Sequence, residues 1–341
     1  MTLGKWIGFV ALIAAAYILW RIRAIVFLFF AAVILAIALN RLVRRFQRSK
    51  ASRTVAILLT IVICAIVVGG LFAVMIRPLL EQIDQLIDLV PAAIDQIRLL
   101  SYRLHDMIPG RMLRNLPNLT DFSRQLQSIA NWVMANIYLF FSNSIALILN
   151  TLLVIVLALM LLANPQQYRR AFLRGFPSFY RHRADEILSR CETKLVHYVA
   201  GIALSMAFIW VTSTIGLLYL DVPLPFVNGL IAGLSAFIPY IGAIASVVPP
   251  MLLAFLEEPW KAGAVLLLYI VIQQVEGNLV TPIIMKQQVS LLPATTLALL
   301  TAFGLLFGFL GLLLGLPILV VAQTWIEAVV VEDILDRWQA R

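Results

Sequence analysis

Charge is scarce in this chain. Asp, Glu, Lys and Arg together make up 13% of its 341 residues, about half the share of an ordinary soluble domain. That excludes a conventional water-soluble globule. With 62% hydrophobic residues and a mean hydropathy of +0.97, what remains is an all-α, polytopic membrane protein. Cysteine is nearly absent. Cys64 lies in an apolar span and Cys191 in a basic segment, which excludes a disulfide framework and reads as two unpaired thiols. The three histidines, His105, His182 and His197, are scattered without ligand spacing, so no metal centre is expected. No glycine-rich phosphate loop is present, which argues against an ATP-driven pump within the chain. There is no serine-centred nucleophile elbow and no pair of intramembrane carboxylates, so neither an enzyme nor a cofactor is expected. The net charge of +9 does not imply nucleic acid as a partner. No basic segment carries an interleaved stacking platform, and membrane proteins gather Lys and Arg on one side for topological reasons.

What is present is apolar length. Thirty-five residues without a formal charge separate Asp221 from Glu257, and forty separate Lys286 from Glu327. As straight helices these runs would measure about 52 and 60 Å, against a hydrocarbon core of about 30 Å. Each must bend back, break or project far from the bilayer. Both carry helix breakers near their midpoints: Pro239 and Gly242 in the first, Gly304, Gly308 and Gly311 in the second. Broken helices at membrane depth are tolerated where protein buries them or where they line a polar cavity, which points to a transporter or channel core. Two arms of about 17 residues would each measure about 26 Å, so length favours hairpins over single crossings. The expected crossings number six with hairpins, leaving Lys286 on the cytoplasmic side, and eight with single spans.

About eight hydrophobic segments are expected: 6–20, 24–39, 55–76, 138–163, 199–220, 226–256, 262–284 and 291–326, with broken or re-entrant helices in the C-terminal half. Segment 6–20 reads as a retained first helix and not as a cleaved signal, because a second apolar segment follows at once. Residues 40–54 hold six basic residues and no acid, and 163–198 hold seven against three. The positive-inside rule therefore places both on the cytoplasmic side, together with the two termini, and 78–137 on the other. Within 78–137, Ile83, Leu86, Ile87, Val90, Ile94, Ile97 and Leu104 recur at helical spacing opposite Glu81, Asp84, Asp88 and Asp95. This is an amphipathic surface cap or an oligomer contact. The organisation read from the sequence is N-terminal membrane helices over 1–77, the outer segment 78–137, a membrane helix over 138–163, a basic loop over 164–198, a transport core over 199–330 and a tail over 331–341.

Glu276 is the single charge between Lys261 and Lys286. Gln273 shares its helical face, and Gln274 and Asn278 share the adjacent one. Four polar groups in two turns are costly in lipid. An ionisable residue at this depth is expected to face protein or a wet cavity and to mark a substrate or ion pathway, the alternative being a hydrogen-bonded cluster that only holds helices together. The two long runs also echo each other: Pro225 to Pro249 and Pro293 to Pro317 are both 24 apart, at a constant offset of 68. Paired discontinuous elements of transporters show this pattern, with freed carbonyls supplying a polar lining. Further lining candidates are Asn228, Ser235, Pro239, Tyr240, Gly242, Thr295, Thr296 and Thr301.

With these residues in place, the chain resembles the autoinducer-2 exporter family of bacterial membrane proteins. The resemblance rests on Phe237-Ile238-Pro239-Tyr240-Ile241-Gly242 with Pro249, on Gln273, Glu276, Asn278 and Pro282, and on Val289 through Pro293, and it covers most of the chain. It implies a homo-oligomeric, pentameric transporter of the bacterial inner membrane. It also implies a cargo that is either the furanosyl quorum-sensing signal or, as in other branches, sodium exchanged for protons. Three functions are therefore expected in competition: an exporter of a small polar solute, a sodium/proton antiporter with Glu276 as carrier, and a non-transporting cell-envelope scaffold.

Overall fold

The structure, a computed structural model, describes residues 14, 17–18, 20–49, 52–74, 76–77, 144–239, 241–280, 282 and 293–336. The expectations for 78–137, for Tyr240 and for Lys286 lie outside the described residues, as does most of segment 6–20. Every regular element among the described residues is helical, and the chain is an all-α polytopic membrane protein. Among those residues five helices are long and apolar enough to cross a membrane, or six if one sharply bent pair counts as a span. Their large side chains face outward: Ile66, Val67 and Val68 are each more than 60% exposed. Such a band would be unstable in water and is natural in lipid. The chain divides into two compact units.

The first unit comprises residues 1–63, 148–201 and 284–341. Helix α1 (Arg23–Gln47) ends in Arg44 and Arg45, cations that suit a helix C-terminus. Helix α2 (Arg53–Val74) follows and runs across the boundary between units. Helix α3 (Ser144–Ala163) packs on α1 through the small residues Ala32, Ala36 and Ala158, which permit close backbone approach. Val43, Ala56 and Leu162 close the basic end of this packing. Pro165 opens helix α4 (Pro165–Arg174) at its first position and forces Asn164 out of helical geometry (φ −135°, ψ 59°), so α4 leaves α3 at 91°.

The basic segment expected as a loop is instead helical. After α4 and a short turn, helix α5 (Arg181–Tyr219) begins about 18 residues before the apolar run does. Its charged half finds partners on a π-helix, Glu327–Leu335, that continues helix α9 (Pro293–Ile326). Arg183 pairs with Glu332 at 2.6 Å and Asp333 at 3.2 Å, Arg190 with Glu332 at 2.7 Å, and Lys194 with Glu327 at 3.1 Å. Beneath these pairs Ile187, Cys191 and Ala328 form a small core, and Phe176 stacks on Trp325.

Helix α9 is doubled back. Gly308 has φ 66° and ψ −147°, a conformation that side-chain-bearing residues avoid. A Cβ on Gly315 would sit 3.2 Å from Leu300 Cδ2. Fifteen residues of straight helix would separate those positions by about 22 Å, so the arms on either side of Gly308 lie against each other. Phe307, beside the tip, packs on Phe27 and Trp20 of the N-terminal region.

The second unit comprises residues 64–147 and 202–283. The apolar half of α5 leads through a turn with positive φ at Asp221 and Leu224 into helix α6 (Pro225–Ser235), helix α7 (Ile241–Glu257) and helix α8 (Pro259–Val275). Gly229 and Gly233 of α6 face the α5 backbone so closely that a Cβ would meet Thr214 N at 2.8 Å and Met206 O at 2.6 Å. The chain leaves α6 at Ser235, turns through Pro239 and re-enters helix at Ile241. Helices α6 and α7 pack on each other, and α7 packs in turn on α8. Asp221, ahead of α6, lies within Coulombic reach of Lys261, just past α7. The first long run is therefore also a hairpin, with arms of 11 and 17 residues, about 16 and 26 Å. The core of this unit draws on all four helices: Ile209, Leu217, Ala232, Leu253, Ala254, Val265, Tyr269 and Ile272.

The two hairpins are built alike. Pro225 and Pro293 open them, and Pro249 and Pro317 lie within their second arms. In the first, the Ser235 carbonyl fills the space of a Gly242 Cβ. In the second, the carbonyl of Phe303, 68 residues on from Ser235, does the same at Gly311.

Candidate functional site

Between Lys261 and its last turn helix α8 carries no charge or amide; Gln273 and Gln274 lie in that turn, and Glu276 and Asn278 follow directly. The winding changes there as well. Glu276–Val280 is a π-turn, a local widening that occurs preferentially at functional positions. Ser205 of α5 donates its hydroxyl to Glu276 Oε1 at 2.7 Å, joining residues 71 apart in sequence. Glu276 and Gln273 are half-buried; Gln274 and Asn278 are exposed and bond each other, Asn278 Nδ2 donating to Gln274 Oε1 at 3.0 Å. A Cβ on Gly277 would meet nothing within 4 Å, so the π-turn is open on that side. Glu276 thus meets α5, whereas Gln274 and Asn278 are exposed.

The polar stripe continues along α8 toward its start. Tyr269, seven residues before Glu276, is 2% exposed, and its hydroxyl faces Ser213 Oγ of α5, itself fully buried. Neither hydroxyl completes a hydrogen bond of good geometry among the described residues; Thr214 Oγ1, also unsatisfied there, faces Gly229 of α6 instead. Buried hydroxyls left this way are sites for ordered water or a polar ligand. The α5–α8 interface of this unit thus carries two polar stations, Ser205–Glu276 and Ser213–Tyr269. Ser205, Ser213 and Tyr269 do not stand out in the sequence. Lone hydroxyls in apolar helices are ordinary packing residues, and only the α5–α8 pairing aligns them.

The other expected residues fall as follows. Asn228 is fully buried, and its Nδ2 donates to the carbonyls of Pro223 at 3.1 Å and Leu224 at 3.2 Å, fastening the left-handed turn before α6. Pro239 lies in the turn of the first hairpin, and Ser235 and Gly242 close its neck. Thr295 and Thr296 belong to the first unit, at the start of α9. Thr301 donates back to the Leu297 carbonyl at 2.8 Å within the same helix. No cluster of three or more potential metal-ligating side chains occurs among the described residues. Chemically, a carboxylate that accepts from a hydroxyl at a π-turn can take up a proton or a cation, and the amides beside it can orient a polar solute.

Comparison with known proteins agrees with this architecture. The family model described as AI-2E family transporter matches residues 7–331. Two relatives carry the name "Putative transport protein". YueF of Bacillus subtilis (strain 168) is 24% identical, over 86% of this chain and 80% of its own length. YhhT of Escherichia coli (strain K12) is 26% identical, over 87% and 82%. The AI-2 transport protein TqsA of Escherichia coli (strain K12) is 25% identical, over 88% of this chain and 84% of its own.

Proposed function

We propose the following role for this chain, which belongs to the AI-2E family of transporters: it is a secondary transporter of the bacterial inner membrane that exports a small polar solute through a path centred on Glu276. The observation that carries the reading is the Ser205–Glu276 pair at the open π-turn, the one charged position in a stretch bounded by Lys261 and Lys286. The first hairpin, in the same unit as Glu276, supplies non-helical backbone of the kind such a path needs between Ser235 and Ile241. The similarity to TqsA, named as an AI-2 transport protein, supports a quorum-sensing signal as one candidate solute. The termini and the basic helices face the cytoplasm in this reading, and the transporter works as a homo-oligomer.

A second reading is sodium/proton antiport. It is favoured by the ionisable carboxylate itself, since a hydroxyl-supported Glu is a proton or cation carrier in its own right. The two readings separate in proteoliposomes. Sodium-dependent proton flux that disappears in Glu276→Gln supports the antiporter. Solute accumulation without such flux supports the exporter, and cells with and without the protein then identify the solute by metabolite profiling.

A further inference from the structure

Where α3 ends, the 91° bend at Asn164 lays α4 across the end of a membrane-crossing helix. This is the orientation of a helix lying in the membrane surface. Under the bend is an open cleft of about 530 Å³ whose lining includes Arg53, Asn164, Gln166, Arg170 and Arg174. It contains three guanidinium groups and no carboxylate. Arg53 is held at its wall by donating Nη2 to the Leu162 carbonyl at 2.9 Å. Among the described residues no acidic side chain lies within ion-pairing distance of Arg53, Arg170 or Arg174.

Other cations near the cleft are paired. Arg169, between the cleft arginines in sequence, is paired with Asp185 at 2.5 Å and Glu192 at 3.6 Å. Arg183, Arg190 and Lys194 are paired too. Arg41, Arg45, Arg48 and Arg181 also lack an acidic partner among the described residues, but the cations that line the cleft are Arg53, Arg170 and Arg174, and Arg170 and Arg174 stand four apart on one face of α4. Tyr168 and Phe172, also four apart, are exposed on the same helix. Aromatic side chains at this level are characteristic of the headgroup boundary.

We propose that this cleft binds the phosphate of an anionic phospholipid, with Arg53, Arg170 and Arg174 as its ligands and Tyr168 and Phe172 set against the adjoining lipid. Arginine suits a phosphate ester because its planar donor fork makes paired bonds to the oxygens. Basic pockets between helices at a membrane surface recognise anionic headgroups by the same chemistry. A zwitterionic lipid carries the phosphate but brings a cation into a site that holds only cations.

The test is native mass spectrometry of the full-length protein in detergent, titrated with phosphatidylglycerol, phosphatidylcholine or inorganic phosphate. Phosphatidylglycerol is expected to bind in preference to phosphatidylcholine. Arg170→Gln with Arg174→Gln weakens its binding roughly tenfold or more. Arg45→Gln with Arg48→Gln removes equal charge outside the cleft and leaves binding within about twofold. Equal binding in the two double variants, or no preference between the lipids, overturns the proposal. Competition by inorganic phosphate at millimolar concentration, lost in the cleft variant, overturns the lipid as source and assigns the cleft to a soluble phosphate. Should the double variant fail to purify, Arg174→Gln alone is expected to weaken binding roughly threefold, and wild-type affinity in it counts against the site.

Discussion

The carbonyl oxygen of Ser235 occupies the space in which a Cβ of Gly242 would lie. The obstacle is backbone, which cannot swing aside as a side chain can. Gly242→Ala must therefore open the neck of the first hairpin, and Gly311→Ala must open the second against the Phe303 carbonyl. Each is expected to lower the thermal midpoint in detergent, by an amount corresponding to about 1–3 kcal/mol or more. Gly263→Ala is the control, because a Cβ there meets nothing within 4 Å of its position in α8, and it should be neutral or stabilising by up to about 1 kcal/mol. Equal midpoints for all three variants would show that the hairpin necks are not tight.

Gly308 poses a different demand. A Cβ there has open space, yet φ 66° with ψ −147° lies outside the region that asparagine or aspartate tolerates. Gly308→Ala and Gly308→Asn should destabilise alike, each by about 1–3 kcal/mol. Rescue by Asn relative to Ala in a thermal-shift comparison would mean that the tip adopts an ordinary left-handed turn instead.

The ion pairs between the basic half of α5 and the C-terminal π-helix should weaken with salt, unlike the apolar core beneath them. Arg183 engages Glu186, Glu332 and Asp333, whereas Lys194 engages Glu327. Arg183→Gln is expected to lower the thermal midpoint more than Lys194→Gln, and the difference should shrink at high ionic strength. A double-mutant cycle of Arg183→Gln with Glu332→Gln checks the contact directly. Strictly additive effects would mean that the pair is not formed.

The membrane helices and the positions of the breaks were legible in the sequence because both are local signals: long charge-free runs, and Pro or Gly at their centres. The choice between hairpin and single span was not local. Length favours hairpins, but what decides is the approach of Leu300 to Gly315 and of Asp221 to Lys261, which no window of sequence contains. Asn228 stands out in the sequence because it is polar in an apolar run; that its buried amide fastens the turn at Leu224 is visible only in the fold. Helical spacing puts Gln274 and Asn278 on one face, where they bond each other. Ser205 was missed because a lone serine carries no periodic signal, and its partner lies 71 residues away. The helical clamp around Arg183 escaped for the same reason, its partner being 149 residues distant.

The hydroxyl of Ser205 is expected to support Glu276 without replacing it. Ser205→Ala should reduce transport less than Glu276→Gln does, and Ser205→Thr, which keeps the donor, should recover most of the loss. Parallel uptake assays in inverted vesicles rank the three. Loss as complete in Ser205→Ala as in Glu276→Gln would make the serine a direct ligand of the transported species.

The most direct measurement of the central claim is transport by reconstituted wild-type protein and by Glu276→Gln, at matched protein density and over a range of pH. Glu276→Gln preserves shape and hydrogen bonding while removing the charge. The account predicts a variant that inserts and purifies like the wild type but has lost most of its flux, or has lost the pH dependence of that flux. Wild-type flux from Glu276→Gln at every pH would contradict it and leave the polar turn of α8 as a device for holding helices together.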